Sequence, residues 1–153
     1  MGHPMPSYSR FNTELTIRPD DVDMNNHVHA SKYLDYFLAA RYDQMGRCYG
    51  MSMKDFVTQG WTWFIKSVQI GYKRPLQMGD TVVVRAWIMD FDKTDVRVGF
   101  QIFRKDGMKL AAEGWVLNTM VSTSTGRATE IPDWVVELYT KHVEEKVPSS
   151  LLP

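Results

Sequence analysis

A short polar loop carries the residues whose types and spacing could do chemistry. Asp23, Asn25 and His27 occupy alternate positions shortly before a long helical pattern begins. The preceding Pro19 and the pair Asn25-Asn26 are typical of loops and turns rather than of regular structure. A carboxylate can act as a base or nucleophile, and amide and imidazole groups can position or activate water. The loop is therefore the predicted reactive part of the chain.

The segment after the loop is predicted to be a helix from about Ala30 to Tyr49, with Ser31 as N-cap and Gly50 as the C-terminal stop. Residues three to four positions apart form one broad, mostly apolar face. They are Tyr33, Leu34, Phe37, Leu38, Ala40, Arg41 and Met45. A helix N-terminus offers unpaired backbone N–H groups and a partial positive charge. Beside a carboxylate, such donors could polarise a carbonyl group.

The remaining pattern repeats every two residues, which is typical of strands. The predicted strands are Phe11–Arg18, Trp61–Lys73, Thr81–Phe91, Val96–Arg104 and Lys109–Val121. A bulge or twist is expected at Trp63–Phe64, and Asp106-Gly107 is a hairpin signal. Residues 53–59 could add a short helix, and a closing helix is predicted over Asp133–Glu145 after Pro132.

This order predicts one α+β domain spanning residues 1–153, with loose tails at 1–9 and 148–153. One strand and a lone apolar helix precede four strands that could form an antiparallel meander. The helix can be covered economically only if the sheet curls around it.

Composition excludes several classes of function. The formal net charge is zero, so the basic surface expected of a nucleic-acid-binding protein is missing. No apolar run approaches the roughly 18 residues of a membrane span, and no signal-peptide pattern is expected at the N-terminus. Cys48 is the single cysteine, which favours a reducing cytoplasm over a disulfide-stabilised secreted protein.

The loop and helix together resemble a known family. Asp-Val-Asp-Met-Asn-Asn-His-Val at residues 21–28, followed by Tyr33, resembles the D-x-D-x-x-x-H-V-x(4)-Y signature of hotdog-fold acyl-thioesterases. The most similar groups are the 4-hydroxybenzoyl-CoA thioesterase-like enzymes and the acyl-ACP thioesterases. Gly79-Asp80, Thr125-Gly126-Arg127 and Ile131-Pro132 extend the likeness along the chain. The hotdog fold has the same order of elements as the one predicted above.

The resemblance implies hydrolysis of an acyl thioester, with acyl-CoA or acyl-ACP as substrate and coenzyme A as part of the substrate rather than as a cofactor. By position, Asp23 matches the carboxylate that acts as nucleophile or general base. Asn25 and His27 match groups that orient or activate water. The backbone N–H of Ala30 matches the donor that polarises the thioester carbonyl.

Three positions depart from the related patterns. Ala30 stands where some relatives have histidine, Leu38 where many have glutamate, and Val84 where acyl-ACP enzymes have glutamate. These departures leave the base or water-positioning role with Asp23 and His27, and keep open a non-catalytic acyl-binding module. A hydratase or dehydratase would require proline at position 26 and histidine at position 28, where the chain has Asn26 and Val28.

Each functional interpretation has a structural alternative. Asp23 could cap the loop, His27 could shape it, and Asn25 could adopt a left-handed conformation. His27 and His29 with Asp23 could instead bind a metal, but no further ligand stands at suitable spacing, so no metal is expected.

Substrate contacts are expected from residues on the helix and the second strand. The candidates are Tyr33, Trp61, Trp63, Phe64, Lys73 and Arg74. The aromatic residues could line an acyl tunnel or belong to the core, and the two cations could meet CoA phosphates or be solvated. A curled sheet leaves strand edges exposed, so a homodimer, or a tetramer built from dimers, is expected.

Overall fold

The computed structural model describes residues 8–141, and these form five strands, three α-helices and two single-turn 3-10 helices. The strands are β1 (Arg10–Thr16), β2 (Trp61–Tyr72), β3 (Thr81–Phe91), β4 (Asp95–Arg104) and β5 (Lys109–Ser122). The helices are α1 (Ala30–Arg47), α2 (Met53–Thr58) and α3 (Asp133–Thr140). The expectations for residues 1–7 and 142–153, including both predicted loose tails, lie outside the described residues.

The strands form one antiparallel sheet in the order β1-β3-β4-β5-β2. The predicted four-stranded meander is correct for β3, β4 and β5 and wrong for β2, which pairs with β5 instead of β3. The connection at residues 73–80 does not form a tight hairpin. It runs past the start of α1, where the backbone N–H of Val28 donates to the carbonyl of Leu76 at 2.8 Å.

The inner face of the sheet packs on α1 and forms the hydrophobic core. Val82, Val84, Ala86 and Ile88 of β3 alternate toward the helix, as do Val96, Val98, Phe100 and Ile102 of β4, and all are buried. Phe37 of α1 meets Phe100 with ring centroids 4.8 Å apart. A curled antiparallel sheet around one long helix confirms the predicted α+β hotdog class.

The sheet covers only part of α1. Tyr33, Tyr36, Phe37, Ala40, Gln44 and Met45 are buried, whereas Leu38 remains 38% exposed and Tyr42 58% exposed. The helix ends at Arg47, two residues before the predicted end, and Gly50 follows with φ 75°. None of the helices within residues 8–141 is long and apolar enough to cross a membrane.

The irregularity of β2 lies at Lys66, between Ile65 and Ser67, and not at the predicted Trp63–Phe64. The two aromatic residues simply alternate between the faces of the strand. Because Ile65 pairs with Asn118 and Val68 with Val116, the extra residue keeps Val68 on the same face as Ile65.

An ion pair on the outer face of the sheet braces this bulge. Lys66 Nζ lies 2.9 Å from Oδ2 of Asp95 at the start of β4. Burial acts to raise the pKa of Asp95, but hydrogen bonds from Thr119, Lys66 and Thr94 outweigh it and hold the pKa below the ordinary value. The bulge is therefore tied to the interior strands across β5.

The closing helix α3 seals one end of the core. Tyr139 is almost completely buried, and its ring meets those of Tyr49 and Phe56 at 5.0 and 6.3 Å. The helix ends at Thr140, and Lys141 is extended. The prediction that the helix continues to Glu145 is therefore wrong at Lys141, and its remaining residues lie outside the described range.

Candidate active site

Asp23 closes the reactive loop with one of its carboxylate oxygens. Oδ1 accepts the backbone N–H groups of Asn25 and His27 at 2.8 and 3.0 Å. The backbone N–H of Asp23 also donates to the carbonyl of His27 at 2.8 Å, and Val22 bridges Val28 across the loop. Within residues 8–141 the other oxygen, Oδ2, accepts no hydrogen bond, and the side chain is partly exposed. One oxygen therefore caps the loop and the other is available.

The same hydrogen bonds keep this carboxylate ionised. The backbone N–H of His27 lowers the pKa of Asp23 most, the N–H of Asn25 and the nearby His27 and His29 side chains lower it further, and slight desolvation only partly opposes them. A carboxylate with a depressed pKa is the charged form that a base or nucleophile needs at neutral pH.

Asp21, which sequence reasoning missed, anchors the loop to α1. Its buried Oδ2 accepts the hydroxyl of Tyr36 at 2.9 Å and the backbone N–H of Arg18 at 3.1 Å. Lys32 Nζ lies 3.9 Å from Oδ1, and the N–H of His29 donates to the Asp21 carbonyl at 3.0 Å. Burial, with the carboxylate as hydrogen-bond partner, strongly raises the pKa of Tyr36. The signature that the loop resembles begins at Asp21, but its anchoring role could not be assigned from the sequence because its partner Tyr36 lies on another element.

The N-terminus of α1 begins directly after the loop and is not capped by a side chain. His29 occupies the N-cap position and makes no side-chain cap, and the helix starts at Ala30. The prediction that Ser31 is the N-cap is therefore wrong. The hydrogen bond between Asp21 and His29 ends the extended segment at His29, so that Ser31 lies in the first turn of the helix. First-turn N–H groups have no acceptor within the helix. Ala30 is exposed, and its N–H makes no hydrogen bond within residues 8–141.

The connection at residues 73–80 supports the loop and the helix start from the other side. The hydroxyl of Tyr33 accepts the N–H of Leu76 at 3.3 Å. The side-chain oxygen of Asn26 accepts the N–H of Met78 at 3.2 Å, and Asn26 has φ 58°. The left-handed residue of the loop is thus Asn26 rather than Asn25.

The end of β2 also reaches the helix start. The hydroxyl of Tyr72 donates to the carbonyl of Ala30 at 3.0 Å, and its ring meets that of Tyr33 edge to face at 5.0 Å. Lys73 and Arg74 follow with exposed side chains, and Arg74 donates to the carbonyl of Leu110 at 2.9 Å. Both cations therefore lie on the surface near the uncapped N-terminus.

A mostly apolar cleft of about 190 Å³ lies farther along α1, between this helix, α2 and β2. Its lining residues are Phe37, Leu38, Arg41, Tyr42, Met45, Met53, Trp63, Ile65, Val96 and Asn118. Of the predicted aromatic contacts, only Trp63 lines it. Trp61 packs on Trp134 with centroids 5.9 Å apart, and Phe64 is on the opposite face of β2 and 62% exposed.

Asp23, Asn25 and His27 do not line this cleft. The helix rises 1.5 Å per residue, so about 12 Å separates Ala30 from Leu38 along its axis. Between these two places lie Leu34 on the helix and Val68 on the strand, where Val68 comes between Ile65 of the cleft and Tyr72 at the helix start. The helix start and the cleft thus lie at two levels along the same helix.

The side chains of His27 and Asn25 make no hydrogen bond within residues 8–141 and are exposed. No group of three or more histidine, cysteine, aspartate or glutamate side chains in this range is arranged to hold a metal ion. Sequence reasoning also missed Met53 and Asn118, which come from different elements and share no local period with α1.

Comparisons with known proteins agree with this geometry. The family model of the thioesterase-like superfamily matches residues 17–138. A Bacillus subtilis (strain 168) protein named "Putative acyl-CoA thioesterase YneP" is 27% identical over 94 residues, covering 61% of this chain and 67% of that protein.

Solved structures are similar in fold. Slr0204, a 1,4-dihydroxy-2-naphthoyl-CoA thioesterase from Synechocystis, has a TM-score of 0.76 and 15% identity, covering 86% of this chain and 96% of that one. The DHNA-CoA thioesterase from Staphylococcus aureus has a TM-score of 0.78 and 22% identity, covering 85% and 88%. SAV2348 from the same organism, solved in complex with CoA, has a TM-score of 0.76 and 22% identity, covering 94% and 92%.

The family match spans the reactive loop, the central helix and strands β2 to β5, and the fold agrees with the hotdog class that the sequence predicts. The chain therefore belongs to the thioesterase-like superfamily, and its reaction is the hydrolysis of a thioester.

Proposed function

We propose that this protein hydrolyses acyl-CoA to a carboxylic acid and CoA, with Asp23 as the reactive carboxylate. The observation that carries the proposal is the ionised Asp23, with one oxygen available, in a loop anchored to the uncapped N-terminus of α1. The similarity to a Bacillus subtilis protein named for acyl-CoA hydrolysis supports CoA as the carrier.

In the proposed reaction the thioester carbonyl oxygen accepts the N–H of Ala30 at the helix N-terminus. Oδ2 of Asp23 either attacks the carbonyl carbon or takes a proton from a water that attacks it. Charge then develops on the carbonyl oxygen, where the helix N-terminus stabilises it. The C–S bond then breaks and the thiolate leaves. If water has attacked, the acyl group is released directly as the carboxylic acid. If Asp23 has attacked, the product is a mixed anhydride of Asp23 and the acyl group, and a second step in which water cleaves the acyl–oxygen bond releases the carboxylic acid and restores Asp23. His27 and Asn25 would orient the attacking water, and the reaction as proposed uses no cofactor.

We infer that the strip between α1 and β2 forms a groove for the acyl group, with its reactive end at Ala30 and its far end in the cleft. Tyr33 and Tyr72 would form the wall beside the thioester, and Trp63 the wall at the far end. Lys73 and Arg74 would meet the phosphates of CoA at the groove entrance, where charged side chains are exposed. The cytoplasm, which holds acyl-CoA, is the proposed location.

A panel of acyl-CoA substrates tests this function. We expect release of free CoA, measured with a thiol reagent, from at least one of the short, long and aromatic acyl-CoA thioesters. Acyl-ACP loaded with the same acyl groups distinguishes the carrier. An absence of turnover with every thioester, combined with measurable acyl-CoA binding, would favour the non-catalytic module instead.

The low pKa of Asp23 predicts the pH dependence of hydrolysis. A lowered pKa means that the carboxylate loses its proton, and becomes reactive, at a lower pH than a free aspartic acid near 4. We therefore expect kcat/KM to stay level as pH falls from 7 to about 5, and to decline only below about 4. If kcat/KM instead declined near neutral pH, where imidazole titrates, the reactive group would be a histidine.

We also propose a homodimer formed through β2. This strand is an edge of the sheet, and three large apolar side chains on it, Phe64, Val68 and Tyr72, are exposed by 62%, 38% and 52%. A long apolar edge strand is expected to pair with another chain. Pairing two copies would continue the sheet and cover the open side of the groove, including Leu38 and Tyr42. Two such dimers could assemble further into a tetramer.

Light scattering tests the assembly. We expect a mass of twice the chain's 17.7 kDa or a multiple of that. Phe64→Glu, on the face of β2 opposite the groove, should shift the protein toward monomers and lower its activity, because a charge would be placed in the paired edge. A monomeric wild-type protein with full activity would contradict the proposal.

A further inference from the structure

Arg41 stands out among the charged residues of α1. The other two cations of the helix face acids, with Lys32 lying 3.9 Å from Asp21 and Arg47 lying 3.0 Å from Asp43. Among the described residues, no carboxylate lies within ion-pair distance of Arg41. Its guanidinium instead lies over two aromatic rings, 5.2 Å from the centroid of Tyr49 and 5.1 Å from that of Tyr139, and the Tyr49 hydroxyl is a further polar partner.

Arg41 lies in the wall of the cleft at the far end of the groove. Most of the lining is aliphatic, aromatic or thioether, and Arg41 is its single charged member within residues 8–141. Asn118 adds an amide on the facing strand, and its Nδ2 makes only a long 3.4 Å contact with the carbonyl of Val116. The cleft therefore combines apolar walls with one guanidinium and one amide.

This combination suits a particular kind of acyl group. Contact with two aromatic faces satisfies the charge of a guanidinium only in part, whereas a carboxylate can accept two parallel N–H bonds from it. Apolar walls favour a hydrocarbon chain between the thioester and that carboxylate. A nucleotide or phosphate of CoA does not suit the cleft, because its other polar groups would lose water without gaining partners.

We propose that the cleft binds acyl groups that end in a carboxylate, and that Arg41 binds this carboxylate. The proposal rests on the proposed acyl-CoA hydrolysis and adds the class of acyl group. About 16 Å of helix axis separates Ala30 from Arg41. The substrates are therefore CoA monothioesters of dicarboxylic acids of intermediate length.

Matched substrate pairs test the assignment. We would measure kcat/KM of the full-length protein for octanoyl-CoA and suberoyl-CoA, and for decanoyl-CoA and sebacoyl-CoA, where each second member adds a terminal carboxylate. We expect the wild-type protein to prefer the carboxylated member. A charge-assisted hydrogen bond contributes about 1.5–3 kcal/mol, so Arg41→Met should lower the ratio of the two kcat/KM values by roughly ten- to hundredfold. Arg41→Lys should recover part of the preference.

Arg127→Met is the matched control, because Arg127 lies on an exposed loop and only its backbone makes hydrogen bonds. It should leave the ratio unchanged. In the same experiment, the hydrolysis of octanoyl-CoA or decanoyl-CoA, which lack the terminal carboxylate, shows whether the variant is folded. An equal loss on both members of a pair in Arg41→Met would show that Arg41 serves the fold or the CoA moiety, and would overturn the inference. So would a wild-type protein without preference for the carboxylated member.

A binding measurement separates this inference from the proposed function. Calorimetry of the wild-type and Arg41→Met proteins with octanamide and with suberamic acid, the monoamide of suberic acid, requires no turnover, because an uncharged amide replaces the thioester in both compounds. Preferential binding of suberamic acid that Arg41→Met abolishes would support the carboxylate site even if no acyl-CoA were hydrolysed. Hydrolysis of neutral acyl-CoA with no preference for suberamic acid would leave the proposed function standing and remove the inference.

Discussion

Asp23→Asn is expected to lower kcat by about 10²- to 10⁴-fold, the usual contribution of a general acid or base. The amide oxygen of asparagine can still accept the N–H groups of Asn25 and His27, which the carboxylate Oδ1 accepts at 2.8 and 3.0 Å. The loop should therefore keep its shape while the negative charge is lost. Steady-state hydrolysis of the best acyl-CoA substrate, together with thermal unfolding, measures the two effects separately.

Asp20→Asn provides the control for this substitution. Asp20 is an exposed acid on the same segment, and its side chain contacts Arg18 at 3.1 Å. We expect its replacement to change neither kcat nor the unfolding temperature. Undiminished turnover by a folded Asp23→Asn protein would remove Asp23 from the chemistry and leave it as the cap of the loop.

Gly114→Ala is expected to destabilise the protein by about 3 kcal/mol, the upper part of the range for overpacked sites. A Cβ at position 114 of β5 would overlap the carbonyl oxygen of Gln69 on β2 and lie 2.8 Å from the carbonyl carbon. Both obstacles are backbone atoms, so the two strands would have to separate. For a chain of this size the unfolding temperature should fall by roughly 6 to 12 °C.

Gly71→Ala is the matched control, because Gly71 lies on β2 in the same strand pair. An alanine Cβ there would meet the carbonyl oxygen of Glu113 at 3.8 Å, an ordinary contact. Its free energy of unfolding should change by less than about 1 kcal/mol. Similar unfolding temperatures for the two variants would mean that β2 and β5 do not approach as closely as the structure has them.

Local patterns in the sequence were sufficient to predict the helices and strands. Apolar residues alternate with other residues from Val82 to Ile88 and from Val96 to Ile102, which indicates strands with one buried face. The spacing of Tyr33, Phe37 and Ala40 indicates a helix. The reactive loop was also identifiable, because its residue types at these spacings resemble a family signature. These features depend on residues that are close in the chain.

The features that sequence analysis missed depend on distant residues. Pairing of β2 with β5 joins Trp63 to Met120, and no short-range period encodes that choice. The role of Asp21 depends on Tyr36, and the setting of Arg41 depends on Tyr139 at the other end of the chain. The bulge at Lys66 requires Asp95 of β4 as its partner. Each of these becomes visible only once the sheet has curled around the helix.

The proposed acyl groove has its two ends on separate parts of the fold. Asp21, Asp23 and the connection at residues 73–80 hold the loop at one end of α1, whereas Met53, Trp63 and Asn118 surround the other end. Mutations at these latter positions could alter which substrates are accepted during evolution without disturbing the reactive loop. A lineage with this architecture can thus diversify its metabolism while keeping its chemistry unchanged.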